Sequence, residues 1–313
     1  RTTNYFRKDF YGRRFISLLM QTRTGTHIYI RKMAQSVLFA IVVGEYFVLN
    51  FPQDTWGLGG NTPESNETLV DGKHIRFHQN VLKGILPNLA IGIGYQYDKH
   101  FELEIEDDEA RTKHPNLPET IKSTTVSSGI SLPIVYDTRK NINNPQQGMY
   151  AGITYLYNDT ALGSDDKWQS LFMDFRKYYS IPFARSILGF RSYYWTILSG
   201  DVPYFDLPST RSEPGTGSAS RGLQKDRYRS KDMLFIESEY RFNISRNGFL
   251  GGVVFVNTTS ASEYESRKFE YWKPAIGTGI RLKFNKYTKV NVDLDIGFSE
   301  DYTNVYLRIG EVF

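Results

Sequence analysis

The sequence has no cysteine among its 313 residues, which excludes disulfide bonds and metal sites built from thiolates. It also lacks any uninterrupted apolar run of about 18 residues, the length that a membrane-spanning helix requires. The mean hydropathy of −0.43 is too polar for a helical membrane protein. The most apolar stretch, 36–51, is interrupted by Gly44, Glu45 and Asn50 and is rich in β-branched residues, which favours a strand.

An excess of charge of one sign is also missing. The sequence has 38 Lys and Arg residues against 34 Asp and Glu residues, for a formal net charge of +4. The basic residues are spread along the chain, a pattern that is typical of solvated loops and of a polar interior. Composition therefore gives no indication of a nucleic-acid partner.

What the sequence does contain is alternation of apolar and polar residues with a period of two, most clearly in 272–284, 289–298 and 303–309. One face of each segment suits lipid and the other suits a water-filled lumen. The predicted lipid-facing residues are Trp272, Ile276, Thr278, Ile280, Leu282 and Phe284, then Val290, Val292, Leu294, Ile296 and Phe298, then Val305, Leu307 and Ile309.

A soluble β-sandwich also alternates, so the period alone does not separate it from a membrane barrel. The 22 Tyr, 21 Phe and 4 Trp residues favour the barrel, because aromatic rings are most stable at the headgroup level of a bilayer. The strand pattern also recurs almost to both ends of the chain. We therefore predict an all-β fold, a transmembrane antiparallel β-barrel, in which residues 1–313 form a single outer-membrane domain.

Bacterial barrels of one chain usually have an even number of strands. We accordingly expect about sixteen, the first of them truncated or hard to recognise. Sixteen strands with their connections use the whole chain, and the sequence therefore predicts no periplasmic POTRA module within it. The fifteen strands that the pattern predicts are 2–8, 13–23, 25–33, 36–51, 73–83, 88–104, 121–137, 148–158, 168–180, 184–198, 232–244, 249–259, 270–284, 288–298 and 303–313.

Short and long connections alternate toward the C-terminal end, as expected of a barrel with short periplasmic turns and long outer loops. The segment 199–231 is far longer than a hairpin requires and contains Pro203, Pro208 and Pro214. Such length usually indicates a functional or disordered loop. A second polar stretch, Glu106 to Glu119, is predicted to be an exposed outer loop.

One motif resembles a known family. Asp137-Thr138-Arg139, followed by Pro145 and Gly148, is similar to the D-x-R…P-x-x-G turn of the bacterial surface antigen superfamily, which includes the BamA and TamA insertases. The residue types suit a periplasmic turn, because Asp and Arg can pair at the strand exit. Pro145 would stiffen the connection, and Gly148 would permit re-entry into the next strand.

The long segment 199–231 carries a second resemblance. Arg221 and Gly222 match the two central residues of the family's plug-loop motif, which folds back into the lumen. Glu237 and Glu239 are the inward acidic residues predicted to pair with Arg221, and Asn257 stands where the family has an acidic residue. The terminal Phe313 resembles the aromatic signal that is read during outer-membrane insertion. The segment 56–63 is also similar to part of compact, barrel-only members.

The resemblance implies an integral protein of the bacterial outer membrane that takes part in protein insertion or translocation. Its expected partners are outer-membrane lipid and lipopolysaccharide, together with client outer-membrane proteins or other envelope proteins. Two alternatives from other classes stay open. One is a passive channel or a structural scaffold in an envelope complex, and the other is the anchoring barrel of a patatin-type lipase.

No pattern in the sequence predicts an enzyme, a cofactor or a metal site. His74 and His78 lie on one face of a predicted strand, where four residues span about 13 Å, which argues against a shared metal ion. Asp98 and His100 are the best candidates for a catalytic pair, but two polar residues at the rim of a barrel are the simpler interpretation. The remaining inward charges predict a mixed-charge network that fills the lumen.

Overall fold

The protein is described by a computed structural model that covers residues 14–21, 25–32, 40–50, 52–105, 122–181, 185–214, 219–285 and 289–313. These residues form fifteen strands and a few short 3₁₀ turns. The strands are β1 (Arg14–Gln21), β2 (Gly25–Lys32), β3 (Ala40–Asn50), β4 (Gln53–Thr55), β5 (Thr68–Leu86), β6 (Leu89–Ile105), β7 (Thr124–Asp137), β8 (Gly148–Asn158), β9 (Trp168–Ile181), β10 (Ser186–Gly200), β11 (Asp232–Asn243), β12 (Leu250–Ala261), β13 (Lys273–Asn285), β14 (Val290–Phe298) and β15 (Thr303–Ile309).

The strands belong to one antiparallel sheet in which neighbours in sequence are neighbours in space, except that the short β4 pairs only with β5. Within the described ranges no ladder joins β1 to β15, so this sheet is not closed by hydrogen bonds. No helix in the same ranges is long and apolar enough to span a membrane. The predicted strand 2–8 and the predicted loop 106–119 lie outside the described residues. Residues 122–137 are described and belong to β7 and the turn before it.

The inside and outside faces of the sheet agree with the predicted alternation. Along β13, Ile276 is 60% exposed whereas its neighbour Ala275 is 2% exposed. On β14, Leu294 is exposed while Asp293 and Asp295 on either side are fully buried. A sheet that exposes its apolar face and buries its charges is the arrangement expected of a wall between lipid and a polar lumen.

Contacts across the interior show that the sheet curves around the lumen. The guanidinium of Arg211, in the long connection between β10 and β11, lies 4.8 Å from the ring centroid of Tyr306 on β15. In the same connection Asp206 accepts a hydrogen bond from Ser127 on β7, at 2.5 Å. Since one connection touches strands so far apart in the sheet, the strands must surround it.

The last residues leave the sheet, which corrects the predicted strand 303–313. β15 ends at Ile309, and Gly310 adopts a positive φ of 98°. Beyond this bend Glu311 pairs with Arg281 at 2.9 Å and accepts a hydrogen bond from Asn291 at 2.7 Å. These lumenal partners, together with the conformation of Gly310, turn the chain inward instead of extending the strand.

The exposed face predicts a dependence on membrane depth along β13. An arginine at the bilayer midplane costs about 2–4 kcal/mol and one near the interface about 0–1 kcal/mol. Ile280→Arg, near the middle of the strand, should therefore lower the urea midpoint of the vesicle-inserted barrel more than Phe284→Arg, near its end. Both residues are exposed on the same face. Equal losses for the two variants would contradict the assignment of this face to lipid.

Candidate functional site

We name the connection between β10 and β11, residues 201–231, the plug loop, and most of its described residues are buried in the lumen. It is described over 201–214 and 219–231. Pro203 precedes a short 3₁₀ turn, Tyr204–Asp206, and Pro208 follows it. The proline rings restrict the backbone here, while apolar residues of the turn pack against Leu58, Trp168 and Ile197. The loop is thus a folded part of the interior.

Arg221 is the centre of the plug loop's polar contacts. Its side chain is fully buried, and one terminal nitrogen donates to Glu237 at 2.5 Å and to Glu239 at 2.7 Å. The other terminal nitrogen donates to Asp295 on β14, at 2.7 Å. Sequence reasoning pointed to both glutamates but missed Asp295 as a partner. The guanidinium therefore joins two strands of the wall, β11 and β14, to the loop.

The remaining surroundings of Arg221 come from β12. The Phe255 ring lies under the guanidinium, with 3.7 Å between the guanidinium carbon and the ring centroid, a cation–π arrangement. Asn257 donates its amide to the Arg221 carbonyl oxygen at 2.9 Å and to Glu237 at 3.2 Å. Asn257 therefore acts as a donor here, to the backbone of the loop and to a carboxylate of the wall.

Gly222 lets the loop lie flat against the wall. Its φ is +95°, a conformation that favours glycine, and its backbone N–H donates to the Tyr306 hydroxyl at 2.8 Å. A Cβ atom placed on Gly222 would lie 2.9 Å from the Cβ of Ala275 and 3.0 Å from the nitrogen of Phe298. A Cβ atom placed on Gly297 of β14 would lie 2.7 Å from the Gly222 nitrogen, so glycine at both positions allows the two backbones to approach each other.

The network extends from Asp295 toward the end of the chain. Asp295 also accepts from Arg281 and from Arg308, the latter at 2.5 Å, and Arg281 lies 3.3 Å from Asp293. Buried arginines and carboxylates in contact satisfy one another, whereas an unpaired buried charge would cost several kcal/mol, about 3–5 for removal of one partner. The arrangement can hold a segment in place, and it offers no pairing of a nucleophile with a base.

The outer part of the plug loop is covered by the segment 56–63 that precedes β5. The Gly59 N–H donates to the Arg229 carbonyl oxygen at 2.7 Å, which forms a β-bridge between the two segments. Arg227 donates to the hydroxyl and the carbonyl oxygen of Thr62, each at 2.7 Å. Trp56 is buried beside Arg227, with 5.2 Å from the guanidinium carbon to the ring. Two connections therefore close the outer mouth together.

The histidines noted in the sequence meet the plug loop on the opposite wall. His74 and His78 both reach the Asp98 carboxylate, at 2.8 and 2.5 Å. They therefore share a partner although they are four residues apart, two periods of the alternation. His100 stacks on His74 with 3.9 Å between ring centroids, and its Nδ1 lies 3.7 Å from Asp206 of the plug loop. The cluster thus contacts the plug loop through His100, whose ring centroid also lies 5.6 Å from that of Phe205.

The turn motif has the predicted geometry. Asp137 accepts from the Arg139 backbone N–H at 2.9 Å and from its guanidinium at 3.0 and 3.1 Å. Gly148 has a φ of +106°, and a Cβ there would lie 2.8 Å from the Thr138 carbonyl oxygen. The Pro145 carbonyl oxygen faces the Arg241 guanidinium at 3.4 Å. The turn thus folds back toward the lumen at the end opposite to the plug loop's entry.

Phe313 is buried within the lumen. Its ring packs on Tyr178, with 6.1 Å between centroids, and its carbonyl oxygen accepts from Arg241 at 2.9 Å. The residue therefore does not lie on the lipid-facing side of a closing strand. Its predicted role as an insertion signal stays a prediction.

Removal of the Arg221 side chain is expected to release the plug loop. Arg221→Ala would leave the buried Glu237 without its paired cation and would take one cation from Glu239 and Asp295, at a cost of about 3–5 kcal/mol. We expect faster cleavage by added protease within 201–231. We also expect a lower temperature at which heating converts the folded band to the unfolded band in electrophoresis. Lys225→Ala, at an exposed position of the same loop, is the control and should change little. Equal protease resistance of wild type and Arg221→Ala would refute the anchoring role.

Asp206 gives the docked loop a pH dependence. Burial, with the nearby negative charge of Asp98, raises the pKa of Asp206 to about 7, against the opposing charges of Arg76 and Arg229. An unfolded aspartate has a pKa of about 3.9. The contribution of Asp206 to stability is therefore greatest below about pH 4 and is lost as the pH rises through about 7.

We accordingly expect the wild-type loop to be cleaved more readily near pH 8 than near pH 5, relative to Asp206→Asn at the same pH. Referring each rate to that variant removes the pH response of the protease. A ratio that is constant across this range would contradict the prediction.

Comparisons with known proteins agree with this geometry. Residues 50–287 match the Omp85 superfamily domain. The chain is similar to the crystal structure of BamA from Haemophilus ducreyi lacking POTRA domains 1–3, with a TM-score of 0.56 and 14% identity, covering 91% of this chain and 61% of that chain. The chain thus spans less than two thirds of that structure. None of the curated proteins matches it.

A second solved structure, the Pseudomonas putida toluene transporter TodX, has a TM-score of 0.39 and 10% identity, covering 87% of this chain and 76% of that chain. The likeness to BamA concerns the fold, an all-β sheet of the outer-membrane barrel type. The family match extends over well more than half of the sequence. The chain therefore belongs to the Omp85 superfamily and is a protein of the bacterial outer membrane.

Proposed function

We propose that this barrel takes part in the insertion or translocation of proteins at the outer membrane, without catalysis of its own. The observation that carries the proposal is the plug loop anchored by Arg221, whose cation contacts three buried carboxylates. Membership of the superfamily supports the same function. Client outer-membrane proteins, outer-membrane lipid and lipopolysaccharide are the partners we propose.

The filled lumen favours a route along the edge of the sheet over a passive channel. A channel requires an open interior, but here the plug loop and the buried network of Arg281, Asp293 and Asp295 occupy it. Displacing the loop would separate Arg221 from all three carboxylates, which is costly. We infer that the loop stays docked while a client is handled elsewhere on the barrel.

The edge strand β15 is the site we propose for the client. Within the described residues its only hydrogen-bonded neighbour is β14. Its other edge therefore carries backbone donors and acceptors that an incoming strand can satisfy by β-augmentation. We place the short turns, including the Asp137–Arg139 turn, in the periplasm and the plug-loop entrance on the outer side, in keeping with the alternation of loop lengths.

A cysteine pair can test this proposal cleanly, because the sequence has no cysteine. The Ser220 and Thr259 hydroxyl oxygens are 2.7 Å apart, which is close enough to suggest a bridge between cysteines at these positions. Ser220→Cys with Thr259→Cys would tie the plug loop to β12. In vesicles, we expect the oxidised protein to accelerate the folding of an added outer-membrane barrel as well as the reduced protein does.

The measurement is the folded fraction of the client, seen as its heat-modifiable band, and empty vesicles and the single variant Ser220→Cys are the controls. No acceleration over empty vesicles would contradict an insertion function. Acceleration that disappears on oxidation and returns on reduction would indicate that the client passes through the lumen. Steady ion conductance by the oxidised barrel would instead support the passive channel.

A further inference from the structure

The two ends of the sheet differ in charge. We call the end with connections 87–88, 138–147, 182–185, 244–249 and 286–289 the short-turn end. Its exposed charged side chains in the described residues are all basic, and with the half-exposed Lys177 they form what we call the basic rim. The basic rim consists of Lys83, Lys140, Lys177, Arg185, Arg246 and Lys289.

The acidic residues at this end do not neutralise the basic rim. Asp137 pairs with Arg139, and Glu311 pairs with Arg241 and Arg281 inside the lumen. Within the part of the chain that the structure describes, no carboxylate lies within salt-bridge distance of any residue of the basic rim. The rim therefore presents cations without protein counter-charges.

The opposite end has the reverse character. Exposed acidic residues there include Glu64, Glu67, Glu265, Glu270, Glu300 and Asp301. The basic residues at that end include Lys122 and Lys167, which lie 3.4 Å from Asp166 and 3.3 Å from Asp159. The near-zero balance of the whole sequence thus conceals a separation of charge along the barrel axis.

Residues of the basic rim alternate with exposed apolar side chains. Lys83 lies between Val81 and Ile85 on the outer face of β5, and those two are 46% and 47% exposed. Arg246 follows Ile244, which is 54% exposed. Cationic groups next to apolar ones match the boundary of a bilayer. There the aliphatic part of a Lys or Arg side chain enters the acyl region and its charge stays among the headgroups.

Lys177 has the same surroundings on β9. It lies between Phe175 and Tyr179, which are exposed on the lipid-facing side, and its ammonium nitrogen is 5.3 Å from the Tyr179 ring centroid. An acidic protein in the aqueous phase would meet the turns but would not meet these outward-facing residues of the wall. The alternation of cationic and apolar side chains on the outer face therefore favours a ligand within the membrane.

We propose that the basic rim binds the phosphodiester headgroups of anionic phospholipids, such as phosphatidylglycerol, in the leaflet that surrounds the short-turn end. The binding rests on charge attraction between headgroup and rim, with the apolar neighbours of each cation seated in the acyl region. It does not depend on the insertion function proposed above, since no residue of the plug loop takes part.

Native mass spectrometry of the folded full chain in neutral detergent tests this inference with two matched triple variants. The rim variant is Lys83→Gln, Lys140→Gln and Lys177→Gln. The control variant, Lys122→Gln, Lys167→Gln and Lys268→Gln, removes the same charge at the opposite end. Phosphatidylglycerol and phosphatidylcholine are the lipid probes, and the heat-modifiable band confirms that each variant is folded.

We expect wild type to retain phosphatidylglycerol in preference to phosphatidylcholine. The rim variant should lose affinity for phosphatidylglycerol by up to about a hundredfold, because each of its three lysines near an anionic surface contributes about fivefold. The control variant should keep wild-type affinity. If the rim variant does not fold, Lys140→Gln alone, in an exposed turn, should still weaken retention.

Equal losses in the two triple variants would show an effect of net charge and would overturn the proposal. So would unchanged retention of phosphatidylglycerol by a folded rim variant. If that variant retained phosphatidylglycerol but lost binding of soluble polyglutamate, the basic rim would be assigned to an acidic protein instead of a lipid.

Discussion

The contact between the Arg221 guanidinium and three carboxylates is the interaction on which the interior of this barrel depends. Glu237, Glu239 and Asp295 are all fully buried, and Arg221 is the cation that contacts all three and offsets the repulsion between their charges. The cation comes from a loop, so docking of the loop also stabilises the wall. This requirement explains why the plug loop lies inside the lumen.

The closure of the outer mouth depends on that docking. Gly222 brings the loop against Gly297, and the bridge between Gly59 and Arg229 adds a second layer above it. A lumen filled in this way leaves the sheet edges and the membrane-facing surface for contact with other molecules. In our proposals the edge of β15 and the basic rim serve different partners, a client strand and a lipid headgroup.

Much of the fold could be predicted from the sequence because alternation with a period of two is a local signal. The strands from β5 to β14 lie where the pattern placed them, but β4 has only three residues and is too short to show a period. The inward bend at Gly310 was missed, because it depends on partners such as Arg281 that are distant in sequence.

The candidate site was predictable only in part, for the same physical reason. Glu237 and Glu239 lie on the strand that directly follows the plug loop, whereas Asp295 is 74 residues from Arg221. The spacing of His74 and His78 argued only against a shared metal ion, and it did not reveal their common partner, Asp98, which lies opposite Arg76 in the neighbouring strand. Diagonal neighbours across strands are within reach of long side chains, and one sequence does not reveal the register.

The most direct test of the central claim is a double-mutant cycle on Arg221→Ala and Asp295→Asn, measured as the free energy of unfolding of the barrel in lipid vesicles. These residues meet only if the plug loop docks against β14. The account predicts a coupling energy within the range of about 0.5–3 kcal/mol that contacting residues show. Additive effects of the two substitutions would contradict it, because they would mean that Arg221 and Asp295 do not interact.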